Sequence, residues 1–339
     1  MSNYDFLAQR KRRQSLFIVE GNHEKNELVE LLLEIFPEID IDIDNIIIYG
    51  TNVYMLLDDI EKEYTSSWYE DDIDLPYIVG KKKGYSQSLN KSDFSNIILI
   101  FDYEHHDPKF SEQKICRLQQ YFKDSSDVGK LYINYPMVES YQHFEEYPDN
   151  RYEQEYILSS LRPGAKYKEK VRNSYVSKYV GLPNRLNDIL NNRFAIDSDN
   201  ARHNCIKRIL ALNSMDNLEN NIKDILSEFM DDNLLTASYQ FVDILKKFEF
   251  LANGKNYWQY MREMISEVIK QCICKARKIS GFVYETSLDE MENAFRSLDM
   301  CKILDEQNAS SRDEINGKIW VLNTSVFIVP DYKYALIQS

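Results

Sequence analysis

The sequence predicts an α/β fold in which a parallel sheet flanked by helices is followed by a mostly α-helical domain with short C-terminal strands. Three observations carry this. Four short apolar, β-branched runs fall within the first 150 residues. Helical patterns separate them. Beyond residue 151 the periodicity is almost entirely helical until a last strand-like stretch.

The runs are Leu16-Phe17-Ile18-Val19, Ile46-Ile47-Ile48-Tyr49, Ile97-Ile98-Leu99-Ile100-Phe101 and Leu131-Tyr132-Ile133-Asn134. Each is continuous rather than alternating, as in strands buried on both faces. Between the first two, apolar residues fall at Leu28, Leu31, Leu32, Ile35 and Phe36, the spacing of one helix face. Stretches 51–64 and 111–123 predict two further helices. Strand and helix alternating in this way imply right-handed crossovers and a parallel sheet. Residues 62–95 interrupt the pattern with an acidic stretch followed by a basic one, Gly80-Lys81-Lys82-Lys83-Gly84, and read as an insertion over the sheet edge.

A chain of 339 residues is long for one core, so two domains are expected, 1–150 and 151–339. In the second, segments 151–161, 165–180, 201–213, 218–230, 234–251 and 257–278 have helical periodicity, broken at Pro163-Gly164, Gly181-Leu182-Pro183 and Gly254. Stretch 318–332 reads as one or two strands returning to a sheet.

Charge divides unevenly. Residues 1–150 hold 15 Lys+Arg against 29 Asp+Glu, which is the whole of the net charge of −14. Such an acidic half is ill suited to binding a phosphate backbone by bulk electrostatics. It suits a divalent cation held by converging carboxylates. No apolar run approaches the roughly 20 residues that cross a bilayer, and Leu16–Val19 is too short for a signal-peptide core. No membrane association and a cytoplasmic location are expected. The five cysteines lack zinc-finger spacing and read as reduced thiols.

The chemistry concentrates after the first and third runs. Val19 leads into Glu20-Gly21-Asn22-His23-Glu24-Lys25, a strand ending in a carboxylate, a glycine for a tight turn, then a helix. Phe101 leads into Asp102-Tyr103-Glu104-His105-His106-Asp107. Residues i and i+2 of an extended chain point to one side, so Asp102 and Glu104 are expected to converge beyond the strand end. Ligands of open α/β sheets sit outside those ends. If the first and third strands are neighbours, Glu20 faces the pair, and three carboxylates suit Mg²⁺ or Mn²⁺.

These residues resemble the TOPRIM domain shared by topoisomerases, bacterial primases and nucleases of overcoming-lysogenization type. That family sets a glutamate after its first strand, here Val19-Glu20-Gly21, and an acidic pair after its third, here Asp102-Tyr103-Glu104 with glutamate in the second place. The likeness covers roughly residues 14–145. A narrower likeness is carried by stretches 49–54, 131–141 and 323–332. It is to the TOPRIM effectors (AriB-like) of PARIS-type ATPase–TOPRIM anti-phage systems and to AbiL-type abortive-infection proteins. The resemblance implies a TOPRIM-like sheet and an ABC-like ATPase partner that restrains the effector. It implies activity as a homodimer that cuts nucleic acid, with host tRNA favoured over DNA.

Glu139, just past the fourth run, is a further candidate ligand, with helix capping as its alternative. Glu24 is explained by the helix dipole. Lys25 is read either as facing a scissile phosphate or as a solvated helix residue. His105, like His23 and His106, is a candidate proton shuttle. Asp107 reads as a turn residue before Pro108. Positive charge for nucleic acid is sought in Arg10–Arg13, Lys81–Lys83 and the stretch 166–178, where Lys168, Arg172 and Lys178 interleave with Tyr167 and Tyr175, and Tyr179 follows. Three readings follow: a metal-dependent nuclease acting on RNA or DNA, a topoisomerase- or primase-like enzyme, and a non-catalytic adaptor. Primases of this class carry a zinc module, and no such spacing occurs. Nor does a phosphate-binding loop of GxxxxGK[ST] type, so any ATP dependence requires another polypeptide.

Overall fold

In the computed structural model, residues 14–39, 41, 45–86, 88–161, 164–281, 290–313 and 315–338 are described. Strand β1 (Gln14–Val19) is followed by helix α1, wound as a π-helix over Glu24–Val29 and as an α-helix over Glu30–Ile35. Strand β2 (Ile46–Ile48) leads to helix α2 (Val53–Tyr64), capped by Asn52, whose side chain accepts from the Met55 amide. The interrupting stretch holds helix α3 (Leu75–Lys83), capped by Asp74 and stopped by Gly84 in the left-handed region. Strand β3 (Phe94–Asp102), helix α4 (Glu112–Tyr121), the short β4 (Lys123–Asp124) and β5 (Gly129–Asn134) complete the sheet.

The strand order is β2-β1-β3-β5-β4, parallel except for β4. The first and third strands are therefore neighbours. Val19 pairs with Ile100, and Asp102 with Asn134, so the carboxyl ends of β1, β3 and β5 form one rim. Leu16–Val19 and Ile97–Phe101 are buried, as continuous apolar runs require.

Beyond residue 151 the chain is mainly helical, with one departure from expectation. Tyr156–Leu158 is a strand, β6, where helix was expected. It pairs antiparallel with β7 (Lys318–Trp320). Tyr156 and Leu158 face out while Ile157 is buried, a period of two within a segment too short to hold a helix against that pairing. The C-terminal stretch departs in part as well. After β7 and a single bridge from Leu322 to Tyr135, it turns helical through Ile328–Lys333. Pro330 sits in the first turn of that helix, where its missing N–H costs nothing.

The two halves share one continuous apolar core. The long helix Tyr257–Ile279 packs on α1, with Arg262 reaching the Ile35 carbonyl and Glu38. The helix Met300–Ser311 packs on α4. No helix among the described residues is long and apolar enough to cross a membrane.

Gly129 opens β5 at φ 123°, and a Cβ there would meet Leu99 Cδ1 at 2.9 Å. Gly129→Ala should lower unfolding stability by about 1–3 kcal/mol through overpacking, as read by urea denaturation.

Candidate metal centre

Glu20 is the first residue past β1, and its amide still donates to the Ile100 carbonyl at 3.1 Å. That bond sets the side chain against β3, where the Asp102 amide donates to Glu20 Oε2 at 3.2 Å. Beyond Asp102 the backbone coils instead of extending. The Glu104 amide donates to the Asp102 carbonyl at 3.0 Å and the His105 amide to the Tyr103 carbonyl at 2.8 Å. Tyr103 is driven into the core, where its hydroxyl meets Asn308 and Ser311. Glu104 remains on the acidic side, and its charge bears on both Glu20 and Asp102.

Glu24 joins this group. It is 4 % exposed, and its carboxylate accepts from the Gly21 amide at 2.7 Å. Its charge acts on Glu20, Asp102 and Glu104. A helix-dipole role does not account for that burial. The spacing Glu20-Gly21-x-x-Glu24 was the available signal: a turn of that length folds the second carboxylate back toward the first.

Glu139 enters from the far side, on the turn Val138–Gln142 after β5. Three consecutive residues near the C-terminus hold that turn and the strand end. Asn323 Nδ2 donates to the Val138 carbonyl at 2.7 Å, Thr324 Oγ1 to the Ile133 carbonyl at 2.8 Å and Ser325 Oγ to Asn134 Oδ1 at 2.8 Å. Glu139 Oε1 pairs with Lys168 at 2.6 Å. No helix-capping bond from its side chain occurs.

Burial, then the charge of Glu104 and neighbouring acids, pushes the Glu20 carboxyl up to about 8. Burial and the charges of Glu20, Glu24, Glu139 and Glu104 raise Asp102 well above the ordinary carboxylate range. Burial raises Glu24 and Glu104 too. Acids so placed hold protons or require a cation. Asp102 Oδ1 and Glu139 Oε2 are buried without any hydrogen-bond partner. Hard oxygen donors, surplus negative charge and orphaned carboxylate oxygens are the chemistry that Mg²⁺ or Mn²⁺ takes, but Glu20, Asp102 and Glu104 do not bring three ligand atoms within 4.8 Å of one another; among the described residues only His23, Glu27 and Glu139 do.

Of the other candidates, Lys25 and His105 are engaged by other neighbours, whereas the charge of Asp107 bears on Glu20 and Glu104. Lys25 directs its ammonium toward Glu30 on its own helix, at 3.8 Å. His105 packs against Phe110, Tyr103 and His106, and burial with the His106 charge lowers its pKa against the pull of Glu112. Asp107 serves its turn, accepting from the Lys109 amide at 2.7 Å and from Asn52 Nδ2 at 2.6 Å. That second bond ties stretch 49–54 to the rim.

Helices α5 (Ala165–Arg172) and α6 (Tyr175–Val180) carry the proposed nucleic-acid residues. Lys168 and Arg172 line a cleft beside the acid cluster; Lys178 is exposed on α6 and does not line it. Tyr167 and Tyr179 are buried, and the Tyr175 hydroxyl is engaged by Tyr260 and Glu249. These tyrosines are packing residues and not the stacking platform expected. Lys81 and Lys82 are paired with Glu63 and Asp59, and Arg10–Arg13 lie outside the described residues.

Comparisons with family models, curated proteins and solved structures return no match to this chain.

A raised folded-state pKa makes stability present at acid pH disappear as pH rises. Below the unfolded value of 4.5 Glu20 is protonated in both states, and between 4.5 and about 8 only the unfolded chain ionises freely. The melting temperature of metal-free protein should fall across that window. Glu20→Gln and Asp102→Asn should flatten the fall and melt higher than wild type at its alkaline end.

Proposed function

We propose that this chain is a metal-dependent nuclease of TOPRIM type, hydrolysing phosphodiester bonds at the rim formed by Glu20, Asp102 and Glu104. The observation that carries the reading is the placing of these buried and half-buried carboxylates, with Glu24, at the carboxyl ends of two adjacent parallel strands, where their charges act on one another. A structural acid pair gains nothing from five carboxylates in mutual repulsion with an orphaned oxygen on Asp102. A cation site gains from all of them.

Glu20, Asp102 and Glu104 would hold Mg²⁺ or Mn²⁺, with Glu24 and Glu139 adding negative charge alongside. The bound ion supplies Lewis-acid charge at the scissile phosphate. Glu20 is the alternative general base for the attacking water, once the charge of a bound cation has drawn off its proton. Lys168 and Arg172, lining the adjacent cleft, offset the negative charge of an incoming backbone, which the acidic half by itself repels.

The narrower resemblance extends the proposal. The chain would be the effector of an abortive-infection phage-defence system, held in check by an ABC-like ATPase and active as a homodimer, with host tRNA favoured over DNA. Asn52, Glu139 and Asn323–Ser325 belong to the stretches that carry this likeness, and each has a physical task at the rim: Asn52 bonds Asp107, Glu139 faces the acids, and the three C-terminal residues hold its turn.

Sequencing RNA and DNA ends after inducing the chain with its ATPase neighbour should reveal new ends confined to tRNA. Glu20→Gln and Asp102→Asn should each reduce those ends by more than about 100-fold. Cleavage surviving both changes would overturn the nuclease reading in favour of a binding role. New ends confined to DNA would overturn the tRNA assignment alone.

A further inference from the structure

Beside the acid cluster, a cleft of about 320 Å³ gathers a different donor set. His23 and Glu27 stand one turn apart where α1 begins, and Glu139 faces them from the turn after β5. One imidazole nitrogen and two carboxylate oxygens, one from each residue, lie within 4.8 Å of one another. His23 Nδ1 and Glu27 Oε1 are 3.0 Å apart. Two ligands about 2.1 Å from a common ion and at right angles to each other are separated by about that distance.

An independent observation points the same way. Glu139 is 6 % exposed, and its two oxygens are treated differently. Oε1 is neutralised by Lys168 at 2.6 Å, whereas Oε2 is buried without a partner. Glu139 lines the cleft together with His23 and Glu27, and a buried carboxylate oxygen without a partner is costly unless something positive meets it. Lys168 has already met the other oxygen. His23 and Glu27 are solvent-accessible and can turn toward Glu139 at little cost.

We propose that His23, Glu27 and Glu139 form a second cation site, separate from the Glu20–Asp102–Glu104 cluster and selective for a transition-metal dication such as Mn²⁺ or Zn²⁺. The imidazole sets the selectivity. Mg²⁺ takes oxygen donors and surrenders its water reluctantly, whereas a nitrogen donor beside two carboxylates suits the borderline ions. The main cluster has no nitrogen donor and discriminates on other terms. Glu139 belongs to both neighbourhoods, since its charge also bears on Asp102 and Glu24. The site needs only its donors and does not rest on the nuclease reading.

The probe is Co²⁺, followed by calorimetry and by its visible absorption in full-length protein carrying Glu20→Gln and Asp102→Asn, which disable the main cluster. One Co²⁺ should still bind, and excess Mg²⁺ should not displace it. Adding His23→Gln or Glu27→Gln should weaken that binding by about tenfold or more, and the two residues are exposed enough for melting curves to stay unchanged. Binding indifferent to both substitutions, or abolished by Glu20→Gln and Asp102→Asn alone, overturns the proposal. The readout is Co²⁺ binding alone, so absence of cleavage by the wild-type chain in the sequencing experiment would sink the nuclease reading and leave this site standing.

Discussion

The Asp102 amide donates to the Glu20 carboxylate across two parallel strands at 3.2 Å, and much of the molecule serves to hold those two groups in that relation. Register alone brings them together, since Val19 pairs with Ile100 and the next residues on each strand run to the rim. Both strands are sealed on their faces by apolar packing, so neither acid can retreat into solvent without unpairing the sheet. The result is a concentration of like charge in a poorly solvated place, which the fold tolerates through protonation or a cation. Glu24 and Glu139 deepen the cost. Their presence makes a purely architectural account of the cluster hard to sustain.

The helical half is part of this construction. Asn323, Thr324 and Ser325 bind the end of β5 and the turn that bears Glu139, while Lys168 on α5 pairs with Glu139 itself. Tyr141, two residues on, donates its hydroxyl to the Glu27 carbonyl on α1, joining the two sides of the cleft. The rim is thus assembled from residues some 300 positions apart in sequence, with Glu20 at the end of β1 and Asn323 holding the turn after β5. A sheet excised at residue 150 would lack the support of Glu139.

Much of this was legible in the amino-acid sequence because buried parallel strands announce themselves as unbroken apolar runs. The four runs and the helices between them follow from that property, whereas the adjacency that lets Glu20 meet Asp102 is conditional in the sequence and is set by the strand order of the folded sheet. Glu24 was missed because a carboxylate near a helix start already has an ordinary explanation, and only its burial and the π-wound first turn remove it. The tyrosines of α5 and α6 were read as a stacking surface because Lys/Tyr alternation is the same for an exposed helix and for one whose aromatic side is buried. The helical period of 151–161 hides the strand Tyr156–Leu158, since three residues are too few to display a period of two and the partner strand lies some 160 residues away. In each case the deciding term was tertiary.

The most direct test of the account is the number of protons released when Mg²⁺ binds at neutral pH, measured by calorimetry in buffers of different ionisation enthalpy. Carboxylates that share their burial and repel one another should give up roughly one proton per ion, and the release should vanish in Glu20→Gln. Binding with no proton release in the wild-type protein, or the same release with Glu20 replaced, would contradict the claim that these acids form one electrostatic unit built around a cation.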